Sequence, residues 1–284
     1  MKNKIPRLLI ILLLFSLAND SFAQRGQKRS AFGWALKGDF RPFVEALYGI
    51  GEPKHNTFTN TFSKFGHVEA RVGYSEIKKY RKAVWELDER FIFGNYLSSD
   101  ADFLDDKSGN IQSEAYRFGF GNRLGYGYML GPITLIPYNQ NQFIWTKLMT
   151  TRPEDISEED NDILDRYEGT YRFGVSTEGG AKLELFKSIS VVASYELAVV
   201  YPRHIFWPWL GSYVIMQTGL GMVSAFSEDI VKSSQVFGPI MYFLLKNGIS
   251  YAFYKGLQDR MNWPFESETP LTMETFKLGV SIKF

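Results

Sequence analysis

The residues best placed to do chemistry are ionisable side chains set at alternate positions of otherwise apolar or glycine-rich segments. They are Glu69, Arg71, Arg117, Arg123, Arg172, Glu178, Lys182, Glu184, Glu196 and Lys277. Successive side chains of a strand point to opposite sides, so this spacing puts all ten on one face of their strands. If that face is enclosed, the groups must pair or meet water, because an isolated buried charge costs several kcal/mol. The two outcomes are a hydrated pore or solute site, and a salt-bridged interior that holds a narrow structure together.

Three histidines add a second candidate. His67 stands two residues before Glu69, while His55 and His204 fall in connecting segments. His67 and His204 are a possible hydrolytic or metal-binding pair at one rim, with Asp100, Asp102, Asp105 and Asp106 as acidic partners. A third candidate is the acidic loop 153–168. Ile156, Ile163, Leu164 and Tyr167 give it the apolar stripe of a short helix starting near Pro153. Its carboxylates are either hydrated surface acid or a divalent-cation site, and Asp160-Asn161-Asp162 lacks the glycine and spacing of an EF-hand. Gly119-Phe120-Gly121 lies inside a strand pattern and opens no helix, and no GxSxG, HExxH or P-loop is present. With zero Cys, neither a disulfide nor a thiolate metal site is possible. No catalytic residue, metal or cofactor is assigned.

The elements that must carry these residues are amphipathic strands. In 116–130, Tyr116, Phe118, Phe120, Leu124, Tyr126 and Tyr128 alternate with Arg117, Gly119, Gly121, Arg123, Gly125 and Gly127. Segments 65–76 and 189–200 repeat the pattern. So does 169–186, which reads as one long strand with a glycine kink or bulge at Gly179-Gly180, or else as a hairpin there. Strands are expected at 42–51, 64–76, 83–97, 114–130, 132–149, 169–186, 189–201, 210–225, 238–256 and 274–284. Residues 204–227 contain no Asp, Glu, Lys or Arg and are long enough for a spanning helix, although Pro208, Gly211, Gly219 and Gly221 argue against a regular one. Ser227-Glu228-Asp229 reads as a helix N-cap, and Asn247-Gly248 could close such a helix. Two strands joined by a helical turn are the preferred reading, against a helical hairpin packed in the lumen.

Residues 1–23 read as a secretory signal peptide, with Lys2, Lys4 and Arg7 ahead of the apolar run Leu8–Leu17 and Ser21-Phe22-Ala23 at the cleavage site. Residues 24–41 are then a periplasmic segment and 42–284 the principal domain. Removing Lys2, Lys4, Arg7 and Asp20 from 32 basic and 31 acidic residues leaves 29 and 30, a balance that gives no sign of a polyanion-binding protein, and no nucleic-acid partner is expected. The 24 Phe, 16 Tyr and 6 Trp suit aromatic girdles at two membrane interfaces. The slightly negative mean hydropathy of -0.18 suits a wall in which only alternate residues face lipid.

At the C-terminus, Phe276, Leu278, Val280, Ile282 and Phe284 alternate with Lys277, Gly279, Ser281 and Lys283. This resembles the C-terminal signal of bacterial outer-membrane proteins, a last amphipathic strand ending in Phe. The resemblance implies an all-β transmembrane antiparallel barrel; the strand segments given above make it about ten strands (8–12), and the alternative reading of 202–248 adds a short helical insert or plug there. The resemblance also implies the outer membrane of a Gram-negative-type cell, with lipid, lipopolysaccharide and the barrel-assembly machinery as partners. With the N-terminus in the periplasm, the long loops face outward and the tight turns inward. The chain resembles the omptin surface proteases in strand number and in the height of its histidines, but it carries no omptin motif. The expected function is structural, adhesive or porin-like small-solute passage, with a rim hydrolase of lipid or peptide as the alternative.

Overall fold

The computed structural model describes residues 40–81, 83–101, 110–186 and 188–284. The signal peptide, most of the segment 24–41, and Asp102, Asp105 and Asp106 lie outside them. Eight strands form a closed antiparallel barrel in sequence order. They are β1 (Arg41–Lys54), β2 (Phe65–Arg81), β3 (Val84–Ser98), β4 (Gln112–Leu130), β5 (Ile133–Thr151), β6 (Arg172–Phe186), β7 (Ile189–Val200) and β8 (Leu271–Lys283). Every sequential neighbour pairs, and β8 closes on β1 with Phe43 opposite Lys283. Closure leaves no unpaired edge. β6 is a single strand whose register with β7 runs unbroken from Gly174 to Glu184, so Gly179-Gly180 is neither a hairpin nor a bulge.

The alternation sets the two faces. Val44, Val68, Ile92, Phe118, Val191 and Leu278 are exposed on the outward face. Arg71, Arg117, Arg123 and Lys277 are fully enclosed on the inward one. The outward residues of the last strand, Phe276, Leu278, Val280, Ile282 and Phe284, are all exposed and continue the apolar belt. Tight turns join β2 to β3, β4 to β5 and β6 to β7 at one end of the barrel, with Gly131 in the left-handed conformation at φ 67°. The longer connections gather at the other end.

One expectation is overturned. Segments 210–225 and 238–256 are not strands but two antiparallel helices, and the barrel therefore has eight strands. After α1 (Glu158–Asp165) in the acidic loop, α2 spans Phe206–Ser233 and α3 spans Gly238–Asp259. At 1.5 Å per residue they run about 42 and about 33 Å, enough to follow the barrel wall from one end to the other. Ser227 is a mid-helix residue whose hydroxyl bonds the Val223 carbonyl, so it caps nothing. Asn247-Gly248 lies inside α3 and closes nothing. The period-2 pattern misled because α2 is apolar almost all round, where strand and helix periods cannot be told apart.

The hairpin is also not in the lumen. It packs on the outward face of the barrel. Trp209, Tyr213, Tyr254 and Leu257 bury against Val175, Leu197 and Val199, all outward residues of β6 and β7. Tyr242 meets Tyr126 of β4 edge to face at 4.8 Å. At the turn end Arg81 Nη1 donates to the Lys232 carbonyl at 2.7 Å and the Tyr128 hydroxyl to the Val236 carbonyl. At the loop end Asn56 Nδ2 donates to Asp259 Oδ1 at 2.7 Å. Among the described residues no helix is long and apolar enough to cross a membrane by itself. In α3 polar residues have a place against the barrel: Asn247 and Ser250 turn to the wall and accept from Asn139 of β5 at 2.9 and 3.3 Å. Gly179 lies directly under Asn247, and a Cβ there would stand 2.6 Å from Asn247 Oδ1.

Candidate functional site: a sealed, charge-paired lumen

The lumen is filled in three layers. At the loop end, apolar residues of the inward faces join residues delivered by the loops. Phe62, Ile111, Leu164 and Tyr167 pack with Phe65, Leu97, Leu148 and Leu271 in one buried cluster. α1 supplies Leu164 to this cluster because its sequence is amphipathic. Ser157 caps it by accepting from Asp160 N at 3.1 Å. Asp160 itself is buried and accepts from Thr59 N, Thr59 Oγ1 and Asn60 N, which ties the loop after β1 to the helix. Arg152 bridges to Asp165 and Glu168. The helix expected in the acidic loop therefore exists but starts at Glu158 rather than near Pro153; of the expected stripe only Ile163 and Leu164 lie in it, while Ile156 and Tyr167 flank it and pack on the same cluster.

At the turn end, Leu47, Leu87, Ile136, Tyr138 and Val192 form a second apolar layer. Between the two layers lie five carboxylates (Glu45, Glu69, Glu89, Glu178 and Glu196) and five cations (Arg71, Arg117, Arg123, Lys182 and Lys277), all buried. Arg71 is the hub, pairing with Glu69, with Glu45 at 3.0 Å and with Glu178 at 2.7 Å. Arg123 holds Glu45 at 2.7 Å and Glu89 at 2.6 Å, and Lys182 holds Glu89 at 2.5 Å. Lys277 reaches Glu178 at 2.7 Å and Glu196 at 3.1 Å, and Arg117 reaches Glu196 at 3.1 Å. Gln140 and Tyr138 donate further bonds to Glu178. Equal numbers of opposite charges and shared hydrogen bonds are what a dry interior requires of ionised groups.

The structure brings eight of the ten charged residues singled out in the sequence into this interior. Glu184 is at the turn end, where Lys283 Nζ donates to it at 2.8 Å. Arg172 is half-buried at the loop end. Sequence reasoning missed Glu45 and Glu89. Glu45 sits in Phe43–Tyr48, where both faces are apolar, and Glu89 sits between Asp88 and Arg90, where both faces are charged. Neither stretch shows a phase of its own, and only alignment with neighbouring strands would have revealed it.

The two rim histidines are not brought together. His67 lies inside, fully buried, and Nε2 donates to Glu69 Oε2 at 3.1 Å. His204 lies on the outward side, its ring 5.2 Å from Phe173 and 4.9 Å from Trp209, and burial among these rings pushes its imidazole pKa down. His55, in the loop after β1, donates from Nε2 to the Thr269 carbonyl at 3.1 Å and accepts at Nδ1 from Thr57 at 3.0 Å. Burial likewise holds it below the ordinary histidine value. His67, Glu69 and Glu196 present ligand atoms within 4.8 Å of one another, a spacing fit for a metal ion. The ammonium of Lys277 stands 3.5 Å from Glu69 Oε2 and 3.1 Å from Glu196 Oε2, and so already supplies the cation of that cluster.

No protein-family model matches the chain. No curated protein matches it either. Among solved structures it is similar to Neisserial surface protein A (NspA), with a TM-score of 0.39 and 9% identity over 86% of this chain and 97% of that one. It is similar also to Ail, the attachment invasion locus protein of Yersinia pestis, with a TM-score of 0.32 and 7% identity over 86% of this chain and 98% of that one. For Ail in complex with the heparin analogue sucrose octasulfate the TM-score is 0.34, with 7% identity over 87% of this chain and 100% of that one. Both proteins are outer-membrane β-barrels. At these identities nothing of their binding properties passes to this chain.

Proposed function

We propose that this chain is a non-conducting outer-membrane barrel that serves as a scaffold for an ordered cap on the cell surface. The observation that carries the reading is the filled lumen. Apolar clusters lie toward both ends of a set of paired charges whose side chains are all buried, which supports a lumen closed to water. A barrel of eight strands has an interior just wide enough for side chains to fill, whereas open porins use 16–18 strands. Small-solute passage loses its support here, and so does a rim hydrolase, because His67 and His204 are on opposite sides of the wall. The outward apolar belt supports a lipid surroundings, with the outer-membrane lipids as its solvent and the barrel-assembly machinery as its route there.

The cap points to a structural or adhesive role. Loop 55–64, α1 and residues 260–270 are knit by Asp160, by Arg166 and Arg203 to Glu268, and by Tyr167, whose hydroxyl accepts from Leu271 N. A passive linker needs no such order. The test is conductance of the purified full-length protein in planar bilayers, run beside heat-modifiable gel migration to prove folding. A folded, heat-modifiable protein that gives no unitary current steps is the expected result. Reproducible steps from the folded form overturn the sealed-lumen reading.

A further inference from the structure

Above the charge-balanced layer, three inward side chains stand in one cross-strand row: Arg117 on β4, Thr146 on β5 and Arg172 on β6. Directly paired residues of adjacent antiparallel strands have Cβ atoms about 4.5–5.5 Å apart on the same face, so the threonine lies between two guanidinium stems. Arg117 spends Nη1 on Glu196, and its Nε and Nη2, both buried, have no partner. The Thr146 hydroxyl and the Arg172 Nε are buried and without partners as well. Asn95, across the other strand from Arg117, offers an unpartnered amide oxygen, and His67 Nδ1 is a second unpartnered acceptor on the Arg117 side; neither stands in the row beside Arg172. Charge gives an independent reason. The five enclosed carboxylates are matched by five cations, Glu184 is matched by Lys283, and among the described residues Arg172 has no carboxylate to pair with.

We propose that Arg117, Thr146 and Arg172 form a binding site for one small monovalent anion, a carboxylate or halide, just beneath the cap. An anion there accepts from all three residues, and it cancels the charge of Arg172, which has no carboxylate partner among the described residues. Guanidinium edges are the side-chain groups best shaped for that task. Arg172 is half-buried at the loop end, so entry is from the cap side and needs no passage through the barrel.

The test uses the refolded full chain in detergent at constant ionic strength, titrated calorimetrically with sodium formate and, separately, sodium bromide. Bromide-soaked crystals would locate the ion by its anomalous scattering. One saturable site per chain is expected, with density between Arg117 and Arg172; tighter binding of formate marks a planar carboxylate site, and equal or tighter binding of bromide a halide site. Arg172→Gln should weaken binding by about tenfold or more, since it removes both charge and fork. Thr146→Val should weaken it by a smaller factor. Arg152→Gln, which removes a loop arginine already paired with Asp165, should leave it unchanged. Heat-modifiable migration confirms that each variant is folded, and Arg172→Lys, which keeps the charge but not the fork, substitutes for any that is not. No saturable site for either anion, affinity unaltered in folded Arg172→Gln, or formate affinity unaltered in folded Arg172→Lys, overturns the proposal.

Discussion

Replacing Arg71 with methionine distinguishes a dry lumen from a wet one. The substitution keeps bulk and removes the hub of the network, which contacts Glu69, Glu45 and Glu178 and also donates to Gln140 at 3.1 Å. None of the three carboxylates is left wholly alone. Arg123 still holds Glu45 at 2.7 Å, and Lys277 still holds Glu178 at 2.7 Å and Glu69 at 3.5 Å. Breaking a buried pair by removing one partner costs about 3–5 kcal/mol. The retained partners put the expected loss near the lower end, about 3 kcal/mol. In a hydrated channel the same charges would be solvent-screened, and the loss would be about 0–1 kcal/mol, as for an exposed pair. The measurement is urea unfolding in detergent micelles or lipid vesicles, followed by tryptophan fluorescence, with m-values compared to show that the same surface is exposed. Arg152→Met is the control, because its pairs with Asp165 and Glu168 are partly exposed and should be worth less than about 1 kcal/mol. A loss for Arg71→Met as small as the control's would refute the dry, paired interior.

Three further outcomes follow from the same geometry. Gly179→Val should dislodge the helical hairpin while the barrel still shows heat-modifiable migration, since its Cβ would meet Asn247 Oδ1 at 2.6 Å; protease cleavage between α2 and α3 reads the change, and an unaltered cleavage rate would contradict the outward docking. Asp160→Asn weakens charge-assisted bonds to Thr59 and Asn60, each worth about 1.5–3 kcal/mol, so proteolysis of the loop after β1 should quicken while the urea midpoint of the barrel moves little. His55 has a folded pKa below its unfolded value near 6.5, so unfolded chains take up its proton first as pH falls. Its neutral form therefore contributes its full stability above that value and loses it on acidification, and His55→Gln should reduce the difference in cap stability between pH 7.5 and pH 5.

What was legible in the sequence was what alternation can encode. β4 displays Tyr and Phe against Arg and Gly over its whole length, and β8 displays Phe, Leu, Val and Ile against Lys, Gly and Ser, so both strands and their inward residues could be read directly. The inward placement of Arg71, Glu178 and Lys277 follows from the same rule. Two kinds of information were not there. The partners of a charge depend on which strands face each other across the lumen, and Arg71 meets Glu178 from 107 positions away. The second is the hairpin. Gly219 suits a helix because Phe253 packs where a side chain would stand, a tertiary reason that outweighs its poor helix propensity. Asn247 likewise owes its place to Asn139 and Gly179 rather than to its neighbours in sequence.

That docking also accounts for one polar break in the outward belt, on β5. On β5 the outward positions between Pro137 and Phe143 are Asn139 and Asn141, and across from them on β6 stand Gly179 and Thr177. Amide groups turned to hydrocarbon would each cost several kcal/mol, and the barrel has no means of satisfying them from its own backbone. The hairpin removes the cost. Asn247 donates to the Tyr138 carbonyl at 3.3 Å and receives Asn139, Ser250 receives Asn139 as well, and Asn139 accepts from Asn141 at 3.0 Å. The dependence runs both ways, since α3 carries Lys246, whose ammonium is buried against Leu220 and Ser224 of α2 and would be intolerable on a lone helix in lipid. Wall and hairpin are thus each incomplete alone: the amides of β5 and the polar face of α3 are legible as errors in two separate amphipathic patterns, and they are resolved only where the two are pressed together.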